Sequence, residues 1–119
     1  VVMIGAGTGL APMKGFLYDR ALEMASADKT VDPGACHLFF GCRTRRERLY
    51  AEEIDEWKAR GVLTHHLALS REPGVPKTYV QDLIHKDAEN MCKLLLQDET
   101  YYYVCGDAKV AKECFEACV

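Results

Sequence analysis

Short apolar runs alternate with longer segments of helical periodicity along this chain, and this alternation restricts the folds that it can adopt. The runs are rich in β-branched and aromatic residues, as strands are, and they cover Val1–Ile4, Cys36–Phe40, Thr64–Leu69 and Tyr101–Cys105. Strands that alternate with helices predict a parallel sheet with helices on both faces and right-handed crossovers between the strands. We therefore expect an α/β fold, a doubly wound parallel sheet of four strands.

The helix-periodic segments have predictable ends. Pro12 suits the first turn of the helix after the first strand, and Gly61 suits the end of the next helix. Residues 79–97 predict one or two further helices, and Val110–Cys118 predicts a last amphipathic helix. The polar stretch Ala25–Gly34 is typical of a surface loop.

Length and composition indicate a single domain whose cysteines are in the reduced form. The 119 residues carry a net charge of -3, whereas nucleic-acid-binding domains are usually basic. The six cysteines form no C-x-x-C pair and the four histidines lack metal-ligand spacing, so we expect no disulfide framework and no metal site. No apolar run approaches the roughly 18 residues that cross a bilayer, so we expect no direct membrane contact by this chain. From the cysteine pattern we expect a cytoplasmic domain. Because Val1 lies inside an apolar run, we expect a fragment of a longer protein, which itself can be anchored on the cytosolic side of a membrane.

Glycine and polar residues follow each predicted strand, at the edge of the sheet where ligands of such folds bind. The first loop reads GAGTGLAP from Gly5 to Pro12 and includes Gly7, Thr8 and Gly9. Its glycines allow a sharp turn and the close approach of a ligand, and the helix start that follows favours an anion. The string matches neither the G-x-G-x-x-G fingerprint nor the P-loop, so a phosphate site and a purely structural turn both stay open.

Cationic side chains follow the second and third predicted strands. Arg43 would stand at the end of the second strand, where a guanidinium can pair with a pyrophosphate oxygen. The third loop contributes a hydroxyl, a guanidinium and an ammonium that together suit a terminal phosphate dianion, from Ser70, Arg71 and Lys77. Tyr79 adds a hydroxyl donor or a ring for an adenine face. An ordinary solvated charged loop is the alternative interpretation.

The fourth loop reads Cys105-Gly106-Asp107. Taken alone, Cys105 is interpreted as a buried cysteine at the end of a strand. Gly106 permits the close approach of a ligand, and Asp107 can cap the last helix. This loop by itself identifies no reaction.

Taken in order, these loops resemble the NADP(H)-binding domain of the diflavin reductases, the cytochrome P450 reductase-like family of the ferredoxin–NADP reductase superfamily. The resemblance rests on four strings that run through nearly the whole chain: GAGTGLAPMKGFLYDR, FFGCRTRRERLYAEEI, LALSREPGVPKTYVQDLI and YYYVCGDAKVAKE. It implies that residues 1–119 form one NADP(H)-binding domain with the fold of that superfamily and the strand order 3-2-1-4. The string after Asp107 is shorter than in many relatives, so Lys109 and Val110 receive no role.

The resemblance also implies roles for individual residues. At the pyrophosphate or the nicotinamide-side ribose it places Gly7, Thr8, Gly9 and Arg43. At the 2′-phosphate it places Ser70, Arg71 and Lys77, with Tyr79 packing at the adenosine end and Gln81 supporting that site. As catalytic residues at the nicotinamide it implies Cys105, near the carbon that gives up hydride, and Asp107, which shapes the same end.

The function that the resemblance implies is that of one module of an NADPH-dependent flavoprotein oxidoreductase. In such an enzyme hydride passes from NADPH to FAD, and electrons pass onward to FMN or to a haem or metal partner. The FAD-binding domain of the same parent chain would be the partner, and this chain alone would bind no flavin and be inactive.

Three other functions are alternatives to this one. One is an isolated nucleotide-sensing or interaction module without redox activity. Another is an NADH-preferring reductase, which Arg71 and Lys77 disfavour because NADH sites usually offer an acidic partner to the ribose. The third is an RNA- or phosphate-binding domain built on residues 43–48, which the net negative charge of the chain disfavours.

Overall fold

The computed structural model describes residues 1–26, 34–98, 100–106 and 108–118. Within these residues one parallel sheet contains the strands β1 (Val2–Ala6), β2 (His37–Cys42), β3 (Thr64–Leu69) and β4 (Tyr102–Cys105). Their order across the sheet is β3-β2-β1-β4. The predicted doubly wound parallel fold and the strand order 3-2-1-4 are confirmed.

Two strands, β1 and β2, extend further toward their carboxyl ends than the sequence predicted. β1 continues through Gly5 to Ala6, and β2 continues past Phe40 to Cys42. The reason is that the ladder between them does not stop at the apolar residues, since Gly5 is paired with Phe40 and Ala6 with the next residue of β2. As a result, the loops after β1 and β2 begin at the same edge of the sheet.

Helices cover both faces of the sheet. The described helices are α1 (Ala11–Ser26), α2 (Ala51–Ala59), α3 (Val80–Lys86), α4 (Ala88–Leu95) and α5 (Ala108–Cys118). On one face α1 and α2 pack with β1 and β2 in a core that contains Met3, Phe40 and Trp57. On the other face α3, α4 and α5 pack in a core that contains Ile4 and Phe39. Because both faces are buried, β1 and β2 are almost continuously apolar in sequence.

The helix boundaries agree with their local sequence signals. Pro12 is the second residue of α1, and Gly61 has a φ of 77° just after α2 ends. Residues 79–97 contain two helices, which Asp87 separates. The predicted surface loop Ala25–Gly34 lies mostly outside the described residues. Among the described helices, none has the length and apolar character that a membrane span requires.

Three histidines of the sheet are partly buried. Burial, reinforced by Arg48 and Lys58, lowers the pKa of His65 to about 4, and its Nε2 has no hydrogen-bond partner among the described residues. Nδ1 of His37 lies 3.1 Å from Nε2 of His66, and burial lowers the pKa of both rings. The folded chain therefore favours the neutral form of all three rings.

We expect the folded chain to lose stability as the pH falls from about 7.5 to about 5. The unfolded chain protonates His65 near pH 6.5, whereas the folded chain does so only near pH 4, so protons favour unfolding in this window. After allowance for solvent screening, His65 alone should account for a loss of about 1 kcal/mol. Urea unfolding at the two pH values measures this loss, and His65→Leu should make the stability less dependent on pH. An unchanged pH dependence in that variant would contradict the assignment.

Candidate functional site

A cleft of about 700 Å³ opens at the carboxyl edge of the sheet, over the ends of β1, β2 and β3. The starts of α3 and α5 form its other walls. The residues with polar side chains that line it are Cys42, Arg43, Glu47, Ser70, Thr78, Tyr79, Gln81, Lys109 and Glu113. The volume lies within the range of small-molecule sites, roughly 300–1,000 Å³, and this edge is where ligands of doubly wound sheets bind.

The glycine loop joins β1 to α1 through one 3₁₀ turn, Gly7–Leu10. Gly7 lines the cleft and has a φ of 56°, a left-handed conformation that favours glycine. Gly9 is constrained differently, because a Cβ at this position would collide with the carbonyl oxygen of Cys105 and lie 3.5 Å from its Sγ. The loop therefore packs directly against the end of β4. The side chain of Thr8, within this turn, lies outside what the structure describes.

Backbone hydrogen bonds join the loops after β2 and β3 beyond the end of the sheet. The N–H of Ser70 donates to the carbonyl of Cys42 at 3.1 Å, and the N–H of Arg71 donates to the carbonyl of Arg43 at 2.8 Å. The N–H of Arg45 also donates to the Glu72 carboxylate, at 2.9 Å. The backbones of Arg43 and Arg71 are thereby fixed next to each other.

A carboxylate four residues along the chain contacts the Arg43 guanidinium. Nε of Arg43 donates to Oε2 of Glu47 at 3.0 Å, and a terminal guanidinium nitrogen lies 3.0 Å from Oε1, so the contact is bidentate. Both residues line the cleft, and their side chains are 61% and 42% exposed. Arg43 thus lies where the sequence predicted, but it is paired with an anion of the protein.

The two predicted cations of the third loop, Arg71 and Lys77, lie outside the lining of the cleft. Arg71 is exposed, and its guanidinium has no ion-pair partner in the described part of the chain. Nζ of Lys77 lies 5.4 Å from the centre of the Tyr79 ring, which is within cation–π range. The N–H of Thr78 donates to the carbonyl of Leu69 at 3.0 Å, which returns the loop to the end of β3 and brings Tyr79 into the cleft wall.

Gln81 connects α3 to α5 across the cleft wall. Its Nε2 donates to Oε2 of Glu113 at 2.5 Å, and Nζ of Lys109 lies 3.9 Å from the other oxygen of that carboxylate. Its Oε1 is buried and has no hydrogen-bond partner among the described residues. An unpaired buried acceptor costs free energy.

Two cysteines occupy strand ends near this edge. Sγ of Cys42 donates to the carbonyl of Thr44 at 3.2 Å, and burial raises the pKa of its thiol. Cys105 is half-buried at the end of β4 and packs against the core beneath α1 and α2. Asp107, the other predicted catalytic residue, lies outside the described residues.

The structure brings part of the predicted set into one cleft and adds residues that the sequence analysis missed. Lining the cleft are the predicted Gly7, Arg43, Ser70, Tyr79 and Gln81, whereas Gly9, Arg71, Lys77 and Cys105 do not line it. The missed lining residues with charged side chains are Glu47, Lys109 and Glu113. A sequence signal for these residues existed. Glu47 follows Arg43 by four positions and Glu113 follows Lys109 by four, and this spacing brings opposite charges together on a helical turn.

A comparison with protein families identifies the kind of domain that carries this cleft. A family model described as the oxidoreductase NAD-binding domain matches residues 3–115. The chain belongs to the oxidoreductase NAD-binding domain family. In this NAD-binding domain the cleft lies at the carboxyl edge of the sheet, as expected for a nucleotide site.

Relatives of this NAD-binding domain include nitric oxide synthases and P450 reductases, which confirms the resemblance to the diflavin reductases. A nitric oxide synthase-like protein of Bombyx mori is 43% identical over 114 residues, which are 95% of this chain and 10% of that protein. The NADPH–cytochrome P450 reductase of Drosophila melanogaster is 41% identical over 110 residues, 92% of this chain and 16% of that protein. The bifunctional cytochrome P450/NADPH–P450 reductase 1 of Bacillus subtilis is 41% identical over 107 residues, 90% of this chain and 10% of that protein. The chain thus spans only a small part of these relatives.

Proposed function

We propose that residues 1–119 are the NADP(H)-binding domain of a longer NADPH-dependent flavoprotein reductase. The observation that carries this proposal is the backbone hydrogen bond that holds Arg43 beside Arg71, in the loop that also carries Lys77. One ligand with two separate phosphate groups would engage both loops. The relative named NADPH–cytochrome P450 reductase, which matches 92% of this chain, supports NADPH as that ligand.

The pyrophosphate would lie at the glycine loop. Backbone N–H groups of Gly7, Thr8 and Gly9 precede α1, where the helix dipole favours an anion. Arg43 would add a charge-assisted contact from the neighbouring strand end. The left-handed conformation of Gly7 and the absence of a side chain there fit the close approach of such a group.

The adenosine end would lie over the third loop. Ser70, Arg71 and Lys77 would hold the 2′-phosphate, because a guanidinium and an ammonium together suit a dianion. Tyr79, which is 44% exposed at the cleft wall, would cover the adenine ring. Gln81 would support this end indirectly, by joining α3 to α5 through its hydrogen bond to Glu113.

The nicotinamide end would lie toward β4. When bound, NADPH would supply a hydride to FAD held in another domain of the parent chain, from which electrons would pass to FMN or to a haem or metal partner. Cys105 would pack beside the nicotinamide and help to orient it, and Asp107 would shape the same end of the site. Because the acceptor belongs to the parent chain, this chain alone should be inactive as a reductase.

The lack of disulfide pairing among the described cysteines supports a cytoplasmic location for this domain. The described cysteines Cys36, Cys42, Cys92, Cys105 and Cys114 are all free. Free thiols are typical of reducing compartments, in which disulfides rarely persist.

Binding measurements on the purified chain test the proposed function. We expect isothermal titration calorimetry to show tighter binding of NADP⁺ and of 2′,5′-ADP than of NAD⁺, since only the first two carry the additional phosphate. The preference should weaken as salt rises, because Arg71 and Lys77 are exposed. Equal affinities for NADP⁺ and NAD⁺ would contradict the 2′-phosphate site. Absence of binding to either would favour an interaction module without redox activity.

A further inference from the structure

Each cation that lines the cleft has a carboxylate partner in the same lining. Arg43 is paired with Glu47, and Lys109 lies near Glu113. The formal charges of these side chains therefore cancel within the cleft. Opening one of these pairs would give the cleft the excess of positive potential that favours an anionic ligand.

The two pairs differ in how closely their atoms approach. Nζ of Lys109 lies 3.9 Å from the Glu113 oxygen, whereas the Arg43 guanidinium contacts both oxygens of Glu47 at 3.0 Å. Two parallel contacts from one guanidinium to one carboxylate reproduce the geometry with which arginine binds a phosphate group. Glu47 thus occupies the donors that a ligand phosphate would need.

The backbone fixes the position from which Glu47 reaches Arg43. Glu47 belongs to the short 3₁₀ turn Arg45–Glu47, and its N–H donates to the carbonyl of Thr44 at 3.1 Å. The start of the turn is also held by Glu72, which accepts the N–H of Arg45 at 2.9 Å. Only the side-chain torsions of Glu47 have to change for its carboxylate to move into solvent.

We propose that Glu47 acts as an internal substitute for phosphate on Arg43, which the bound nucleotide must displace. This proposal rests on the proposed function. In the free chain Glu47 keeps the guanidinium in a bidentate arrangement, and a monatomic anion such as chloride cannot reproduce both contacts. A pyrophosphate group can replace it, because it offers several oxygens and more charge. Glu47 therefore lowers the affinity of the site and makes it more selective for phosphate-bearing ligands.

The test is a double-mutant cycle measured with NADP⁺ by isothermal titration calorimetry. Glu47→Gln should tighten binding about two- to fivefold, the range that an exposed ion pair accounts for. In an Arg43→Ala background the same substitution should have no effect, because no guanidinium is left to release. The matched control is Glu56→Gln, which makes the same change of charge in another pair of this spacing, Arg60–Glu56 at 3.7 Å, outside the cleft lining. This control should leave NADP⁺ affinity unchanged.

The outcomes separate displacement from simple repulsion and from failure of the proposed function. If Glu47→Gln tightens NADP⁺ binding equally with and without Arg43, Glu47 only repels the ligand, and the proposal is overturned. The proposal is also overturned if Glu47→Gln does not tighten binding, or if Glu56→Gln has an equal effect. The cycle is repeated with inorganic pyrophosphate as the probe. If pyrophosphate shows the coupling while NADP⁺ does not bind, the proposed function fails and the role of Glu47 stands. If NADP⁺ is preferred over NAD⁺ but Glu47→Gln changes the affinity for neither NADP⁺ nor pyrophosphate, the proposed role of Glu47 is wrong while the proposed function stands.

Discussion

Replacing Arg71 with alanine should weaken NADP⁺ binding by tens of fold while hardly changing NAD⁺ binding. The loss of one charge-assisted hydrogen bond costs roughly 1.5–3 kcal/mol, and only NADP⁺ carries the phosphate that Arg71 would contact. The fold should be unaffected, because the Arg71 guanidinium is exposed and makes no ion pair within the described residues. Its backbone N–H, which bonds to Arg43, is retained in the variant. Calorimetry with both cofactors measures the difference.

Arg60→Ala is the matched control for this prediction. Arg60 is also an exposed arginine, but it lies at the end of α2, where it pairs with Glu56 away from the cleft lining. Its removal should leave both affinities unchanged. Parallel weakening of NADP⁺ and NAD⁺ by Arg71→Ala would mean that Arg71 contacts a part of the ligand that the two cofactors share.

Gly9→Ala should be among the most damaging single substitutions in this chain. Its added methyl group would meet the backbone carbonyl of Cys105 closer than real Cβ atoms approach, so β4 or the glycine loop would have to shift. Overpacking of this kind costs roughly 1–3 kcal/mol and occasionally more. We expect thermal unfolding to shift down by about 5–15 °C. NADP⁺ binding should also be lost, since the loop would no longer keep its position.

The same substitution at Gly15 provides the comparison. Gly15 lies inside α1, and a Cβ there would meet no atom within 4 Å. Because alanine is about 1 kcal/mol more favourable than glycine within a helix, Gly15→Ala should stabilise the chain. If both substitutions shift the unfolding temperature in the same direction, the close contact between Gly9 and Cys105 does not constrain the fold.

Much of the fold followed from the sequence because its signals are local. Apolar runs, Pro12 and Gly61 act within a few residues of themselves, and the structure agrees with each of them. The resemblance to a family supplied the strand order, which local signals could not, because pairing between β1 and β4 joins residues distant along the chain. The constraint on Gly9 is of the same non-local kind, since it comes from Cys105.

The site was less predictable than the fold, because its lining depends on where side chains converge. Glu113 reaches the cleft from α5 and meets Gln81 of α3, a contact between residues that are far apart in sequence. Sequence reasoning also weighed Arg43 as a free cation, whereas its guanidinium is already paired with Glu47. Which cation is available to a ligand is a property of the folded charge distribution, so residue types alone could not give it.

The backbone hydrogen bond between Arg71 and Arg43 has a consequence for ligands of different valency. It fixes the starting points of the two side chains, which would otherwise move independently on separate loops. A molecule that carries two anionic groups and engages one arginine would therefore present its second group to the other at a high effective concentration. Monovalent buffer anions gain no such advantage. The two arginines would then distinguish ligands first by how many anionic groups they carry and how far apart these stand, before any contact with the base.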